Sequence, residues 1–458
     1  MEPLSVAEIT KAVAGKLTAN VDFKIDNIST DTRNLKPGSL FIALIGDNFN
    51  AHNFIEDAFE KGAKIAIVSQ EVDLDKPLIV VEDTTKALQD LASYYRNQFS
   101  LPVIAVTGST GKTTTKDMIA AVVDQKYKTL KSQGNFNNEI GLPLTLFRLN
   151  STHQAVVVEM GMRGLGQIRE LAQIAKPNLG VVTNVGVTHI ELLGSQAKIA
   201  QAKGELIESL EQESIAILNG DDKRVRRMKE LTSAQVITYG LAENNQLQAI
   251  NIESLGSKGV KFNLVDNEAK EDYQFKLPLP GEYNVYNALA AVAVGLELNL
   301  NLEEIKIGLE NLKLSKMRNQ LITTKNNLRI INDAYNANPT SMKAAINTLV
   351  EVASSRKIAV LGDMLELGKL ATKEHQKIGR LIVHQKIDYL FTIGDLAKNI
   401  AQGAIKAGMN ESKIFSYQDK EEASKQLLQI LNAEDTVLVK GSRGMELEEI
   451  VDVLESKE

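Results

Sequence analysis

Short apolar runs separated by longer amphipathic stretches set the rhythm of this chain. Val103-Ile-Ala-Val106, Ala155-Val-Val-Val158, Leu179-Gly-Val-Val-Thr183 and Ser214-Ile-Ala-Ile-Leu218 are almost continuously apolar. A strand covered on both faces reads this way, as in a parallel sheet. Helical pattern fills the intervals, as over Lys112 to Asp124. An earlier helix is predicted over Thr85 to Phe99, ended by Ser100-Leu-Pro102. The N-terminal 85 residues repeat the alternation on a smaller scale, with runs at Leu40-Phe-Ile-Ala-Leu44 and Ile65-Ala-Ile-Val68. A third such region starts near Arg318, with runs at Arg329–Asn332, Lys357–Leu361, Tyr389–Ile393 and Thr436–Val439. Strands alternating with helices predict an α/β protein built on doubly wound parallel sheets. The polar stretch Leu312–Gln320 reads as a hinge. No internal repeat or low-complexity segment interrupts the pattern.

Composition narrows the class. At about 100–200 residues per domain, 458 residues predict two to four domains. Hydrophobic residues make up 43% and aromatic residues 5%, with no Trp, so aliphatic side chains must fill the cores. A net charge of −6 argues against a nucleic-acid partner. The absence of cysteine excludes disulfides and thiolate metal sites. No basic-then-apolar leader and no membrane-length apolar run is present, so a cytoplasmic protein without membrane insertion is expected.

Candidate chemistry begins at Ala105-Val-Thr-Gly-Ser-Thr-Gly-Lys-Thr-Thr-Thr115. The stretch follows a predicted strand and opens a predicted helix, the context of a phosphate-binding loop. It is shortened: the usual first glycine would fall at Val106, and the nearest is Gly108. Gly108, Ser109, Thr110 and Gly111 would let the backbone approach phosphate oxygens, and the helix N-terminus offers free N–H groups. Lys112 would neutralise the phosphates, Thr113 would ligate Mg²⁺, and Thr114 continues the helix start.

Glu159 ends the next predicted strand, where side chains face the ligand crevice of such sheets. It suits either a Mg²⁺ ligand or a satisfied strand-end acid. His189, after the strand Leu179–Thr183, suits a second cation or an ordinary surface position. Lys203, in IAQAKGEL, would not be selected by spacing at all. Asn137 and Asn138 in GNFNNEIGLP suit contacts to sugar or pyrophosphate, or a turn. Asn284 and Asn287 share one helix face and suit an adenine, or a helix cap. Asp333 and Asn336 follow a strand, and Arg318 precedes it. An arginine from another domain would reach a transferring phosphate, while a solvated linker arginine is the plain alternative.

Taken in order, the motifs resemble those of the Mur ligases of peptidoglycan synthesis, over essentially the whole chain. They are STDTRNLKPGSLFIAL (29–44), TGSTGKTTTKDM (107–118), GNFNNEIGLPLTL (134–146), EMGMRGLGQI (159–168), TNVGVTHIELLGS (183–195), IAQAKGEL (199–206), PGEYNVYNALAA (280–291), NDAYNANPTSM (332–342), LGDMLELG (361–368) and VKGSRGMELEEIV (439–451). The shortened loop is the form this family carries. The Asp-Asn-Pro-Arg motif of the diamino-acid-adding relatives is absent and LGDMLELG stands in its place, which points to the dipeptide-adding branch. Tyr283 stands where the family often has His, and Thr32 where Ser is common.

The resemblance implies three domains: a UDP-substrate domain over 1–85, a central ATPase domain over 86–315 and a Rossmann-like domain over 316–458. It implies that Ser29, Asp31, Thr32 and Arg33 serve the uridine nucleotide, and that Asn137 and Asn138 contact the UDP-sugar. Thr113, Glu159 and His189 would hold Mg²⁺, and Lys203 is the lysine that relatives carry as a carbamate. Asn284 and Asn287 would contact adenine. Arg318, Asp333 and Asn336 would contact ATP, and Lys440, Ser442 and Arg443 the acceptor. The implied reaction joins D-alanyl-D-alanine to UDP-N-acetylmuramoyl-tripeptide at the expense of ATP, through an acyl phosphate, in a monomer. A folylpolyglutamate-type ligase and a nucleotide-gated binding protein are the alternatives; the STDTR unit speaks against the first.

Overall fold

The structure, a computed structural model, describes residues 1–267 and 271–456. Three sheets organise it, each on its own stretch of chain. The N-terminal sheet orders its strands Lys16–Leu17, Leu78–Val80, Ile65–Val68, Leu40–Ile42 and Ile28–Ser29. All but the first pairing are parallel.

The central sheet has nine strands. Val103–Thr107 lies between Ala155–Glu159 and Leu179–Val182, parallel to both. Chain order reverses here, so the carboxyl ends of these strands open onto a crevice where ligands bind in doubly wound sheets. Each of the three strands is buried at every position, which explains their unbroken apolar sequence. The far edge departs from the expected all-parallel sheet. Val260–Asp266 pairs antiparallel with both Leu247–Ser254 and Glu271–Leu277. Val260, Phe262 and Leu264 are buried while Lys261 and Asn263 are partly exposed, the period-two pattern of a sheet with one wet face.

The helix Tyr283–Glu297 packs against the helix Lys112–Val123 that follows the phosphate loop. It is apolar almost all round because it lies inside the core, with Val285, Leu289, Val292 and Val294 inaccessible to solvent. Each such side chain stabilises the fold by about 2 kcal/mol. The loop and the helix at its end are thus braced by a hydrophobic layer.

The third sheet orders its strands Gln320–Thr323, Arg329–Asn332, Thr436–Lys440, Lys357–Gly362, Tyr389–Ile393 and Ile414–Tyr417. Only the first pairing is antiparallel. Thr436–Lys440 inserts between Arg329–Asn332 and Lys357–Gly362, making a second point of reversed order. The carboxyl ends of these strands carry Asp333, Asp363 and Lys440. No helix among the described residues is long and apolar enough to cross a membrane.

Candidate active site

The shortened loop is built by two glycines and the neighbouring strand end. Gly108 has φ +153°, and a Cβ there would sit 1.9 Å from Thr183 Oγ1. Gly111 has φ +83° in the left-handed region, and its Cβ would meet Asn287 Oδ1 at 2.8 Å. The Thr110 backbone N–H donates to Asn184 Oδ1 (3.0 Å), and Thr110 O accepts from Thr183 Oγ1 (2.7 Å) and Asn184 Nδ2 (2.8 Å). The Ser109 N–H donates to Asn184 O (2.9 Å). Thr183 and Asn184, at the end of the adjoining strand, therefore hold the loop open. Sequence reading passed over them because their role is visible only across the sheet.

Lys112 folds back so that Nζ donates to Gly108 O at 2.9 Å. Enclosure by protein pushes its amine below the usual lysine range; nearby Glu159 opposes that and Arg318 adds to it. Lys203 is 2% exposed and is held well below its ordinary value, first by burial and then by the charge of Lys112. Crowded cations in a recess favour an anion. A triphosphate would supply the missing counter-charge.

Glu159, at the strand end, accepts from Asn137 Nδ2 through Oε1 (2.8 Å), while Oε2 is buried without a partner. The Asn137 amide expected on a substrate sugar is thus engaged in orienting a carboxylate. Asn138 Oδ1 accepts from Gly141 N at 2.9 Å and shapes the same turn. Asn284 and Asn287 line the recess, with their amide groups committed to a chain: Asn284 Nδ2 to Pro280 O (2.8 Å), Asn287 Nδ2 to Asn284 Oδ1 (3.1 Å), and Thr115 Oγ1 to Asn287 Oδ1 (3.0 Å).

The third sheet contributes the opposite wall. Arg318 stacks its guanidinium 3.8 Å from the ring centre of Tyr335, whose hydroxyl is kept protonated chiefly by burial. Lys440, 1% exposed, bonds Asp333 Oδ2 (2.5 Å) and Asn336 O (2.9 Å); burial lowers its pKa and Asp333 counteracts this. Ser442 Oγ accepts from Leu365 N at 2.9 Å, and Arg443 pairs with Glu448. Asn338 Nδ2 reaches the phosphate loop itself, donating to Thr110 Oγ1 (3.1 Å) and Thr188 Oγ1 (3.0 Å). His189 Nδ1 lies 2.5 Å from Glu366 Oε2, at ion-pair distance but outside ordinary hydrogen-bond alignment. That contact, against the opposing effect of burial, keeps Glu366 below the usual carboxylate range.

These walls border one cavity of about 1100 Å³ that is partly open to solvent. Ser109 to Thr114, Asn137, Asn138, Glu159, His189, Asn284, Asn287, Arg318, Asp333, Asn336, Lys440, Ser442 and Arg443 all line it. Gly108 and Lys203 are not among the lining residues. Ser29, Asp31, Thr32 and Arg33 are not brought to the cavity. They form a separate turn on the N-terminal unit: Asp31 caps it through Arg33 N (2.9 Å) and pairs with the Arg33 guanidinium (2.7 Å), and Ser29 Oγ donates to Asp31 O (2.8 Å). Tyr335, Asn338 and Glu366 are cavity residues that sequence reading did not select.

No three His, Asp or Glu side chains converge as a metal cluster among the described residues. A cation shared with substrate phosphates needs only one or two protein carboxylates. Glu159 Oε2, buried without a partner at the cavity that Thr113 also lines, meets that need.

Comparison with known proteins agrees with this architecture. Residues 106–295 match the family model of the Mur ligase middle domain, 317–443 that of the Mur ligase glutamate ligase domain, and 24–96 that of the Mur ligase family catalytic domain. The chain is 41% identical to the UDP-N-acetylmuramoyl-tripeptide–D-alanyl-D-alanine ligase of Bacillus subtilis, covering 99% of this chain and 98% of the relative. It is 36% identical to the enzyme of that name from Escherichia coli, over 99% of each chain. The crystal structure of MurF from Acinetobacter baumannii superposes with a TM-score of 0.92 at 33% identity, covering 100% of both chains. MurF of Thermotoga maritima, solved in complex with ADP, gives 0.83 at 26% identity, covering 94% of this chain and 97% of that one. Three matched models in chain order and full-length likeness, on a fold with the shortened phosphate loop at its switch point, make this chain a member of the Mur ligase family.

Proposed function

We infer that the chain joins D-alanyl-D-alanine to UDP-N-acetylmuramoyl-tripeptide, forming UDP-muramoyl-pentapeptide, ADP and phosphate. The observation that carries this reading is the cavity itself: a phosphate loop faces, across one shared space, a wall from the third sheet that bears LGDMLELG in place of the acceptor motif of the diamino-acid-adding relatives. Full-length likeness to ligases of that name supports it.

The chemistry sets the requirements. A tripeptide carboxylate oxygen attacks the γ-phosphorus of ATP, and ADP leaves. The dipeptide amine then attacks the acyl carbon, loses a proton, and the carbon–oxygen bond to phosphate breaks. The first step brings a carboxylate to a triphosphate, so cations must screen their repulsion. Lys112 sits in the loop for that task, and Arg318, held flat by Tyr335, delivers a second charge from the third unit. Thr113, Glu159 and His189 would hold Mg²⁺, which supplies Lewis-acid charge neutralisation when bound. Buried Lys203 is suited to the carbamate of its relatives, because burial favours the neutral amine that reacts with carbon dioxide. Asn284 and Asn287 define the adenine side, and Asp333 and Asn336 the ATP side of the third unit. Lys440, Ser442 and Arg443 frame the acceptor, and Asn138 the sugar side. The Ser29–Arg33 turn lies apart and takes the uridine nucleotide. The acyl phosphate must be kept from water, so closure of the partly open cavity over it would favour the second step.

Three units, 1–85, 86–315 and 316–458, divide this work in a single chain that completes its own cavity and acts as a monomer. Its nucleotide substrates place it in the cytoplasm. The test is mass analysis of product from ATP, Mg²⁺ and UDP-muramoyl-tripeptide with D-alanyl-D-alanine, glutamate or diaminopimelate as sole acceptor. Pentapeptide from the dipeptide alone is expected. Product from glutamate instead would favour the folylpolyglutamate-type alternative.

A further inference from the structure

The loop Leu361–Gly368 does more than frame an acceptor. Three long-range bonds fix it: Met364 N donates to the buried His375 Nε2 (3.0 Å), Leu365 N to Ser442 Oγ (2.9 Å), and Ala397 N to Asp363 Oδ1 (2.7 Å). So anchored, the loop holds Glu366 at φ 62°, a left-handed conformation that costs a non-glycine residue about 1 kcal/mol or more. The residue opposite, His189, is also left-handed, at φ 64°. Glu366 touches that segment twice. Its backbone O accepts from Glu191 N at 3.2 Å, and its Oε2 lies 2.5 Å from His189 Nδ1.

A carboxylate on one ring nitrogen fixes which nitrogen remains for a ligand. With Nδ1 against Glu366, Nε2 is the nitrogen left for the cavity that His189 lines. The carboxylate comes from the third unit and the imidazole from the central one. The ring can be held this way only when the third unit sits against the phosphate loop, where Asn338 also bridges Thr110 and Thr188.

We propose that Glu366 is a positioning residue that orients His189, with Nε2 toward the phosphate side, only when the third unit is seated. Two left-handed positions whose side chains meet, with a backbone bond from Glu191 N to Glu366 O beside them, are an arrangement the fold maintains against local cost. This assignment rests on the ligase reading for the name of the reaction, but its structural half does not.

The chain has no cysteine, so Lys229→Cys and Lys373→Cys give unique dye positions on the central and third units. Energy transfer in that full-length chain, with a non-hydrolysable ATP analogue and UDP-muramoyl-tripeptide, reads the seated fraction. Steady-state kinetics of the undyed variants read the reaction. Glu366→Ala is expected to halve the seated fraction at least, and to lower kcat tenfold or more with the KM for ATP within twofold of wild type. Glu366→Gln, which keeps an acceptor oxygen, recovers part of both. Lys369→Ala, exposed just past that loop, matches wild type. An unchanged seated fraction in Glu366→Ala, or a lowered one with wild-type kcat, overturns the proposal. A wild-type chain that forms no pentapeptide defeats the ligase reading instead, and the energy-transfer result still decides the role of Glu366.

Discussion

The phosphate loop, Gly108–Thr114, and the acceptor-side loop, Leu361–Gly368, face each other across the same cavity and are held by different means. The phosphate loop is specified by its own sequence. Two glycines with positive φ, a lysine returning to Gly108 O and a helix start are all local, and the adjoining strand end adds only Thr183 and Asn184. The acceptor-side loop is specified from a distance, by His375, Ala397 and Ser442. The first needs its own strand and helix and the adjoining strand end of the same unit. The second exists only when the whole third unit is folded, and its Glu366 meets His189 only when two units meet. The phosphate loop is thus held mainly by nearby sequence, and the Glu366–His189 contact by tertiary structure.

The comparison yields tests of decreasing size. Lys112→Ala removes the loop's only returning cation and should lower pentapeptide formation by about a thousandfold or more, measured as initial rate at saturating substrates. Near-normal turnover would remove the loop from the reaction. Asn184→Ala and Asn338→Ala then separate the two kinds of support. Asn184 holds the loop within the central unit, so its loss should raise the KM for ATP by about tenfold, the equivalent of one lost charge-independent hydrogen-bond pair. Asn338 reaches the loop from the third unit, so its loss should lower kcat by about fivefold with ATP affinity intact. Identical profiles for the two variants would erase the distinction.

The smallest effect concerns His375. Burial depresses its pKa below the usual histidine range, and Met364 N–H needs its unprotonated Nε2. Because the folded value lies below the unfolded one, about 6.5, its stabilisation is full above that pH and is lost as pH falls. Thermal unfolding should therefore drop more steeply between pH 7 and 5 in wild type than in His375→Gln. Parallel curves would remove His375 from the anchoring of the loop.

Much of the fold lay open in the sequence because buried parallel strands leave continuous apolar runs, and Val103–Thr107, Ala155–Glu159 and Leu179–Val182 are buried throughout. The antiparallel pair Val260–Asp266 and Glu271–Leu277 was missed: the half-buried alternation of Val260–Asp266 carries fewer apolar residues and looks like loop to a search for apolar runs. The phosphate loop was legible for the local reason given above. Lys203 was silent, since a lysine on a helix gives no sign of burial, and only its resemblance to family members drew attention to it. Asn137 was visible as a polar cluster, but its engagement with Glu159 depends on a turn and a strand 22 residues apart. Tyr335 under Arg318, Asn338 on Thr110 and Glu366 on His189 are products of unit packing and leave no pattern in the chain.

The central claim is that the cavity passes a phosphoryl group to a carboxylate before the amide forms. The direct measurement uses UDP-muramoyl-tripeptide labelled with ¹⁸O in its terminal carboxylate, with ATP, Mg²⁺ and D-alanyl-D-alanine. Phosphate released in step with pentapeptide should carry one labelled oxygen, because the bond broken in the second step is the acyl carbon–oxygen bond. Pentapeptide accompanied by unlabelled phosphate would contradict the acyl phosphate, and phosphate release independent of both acceptor and tripeptide would contradict the ligase.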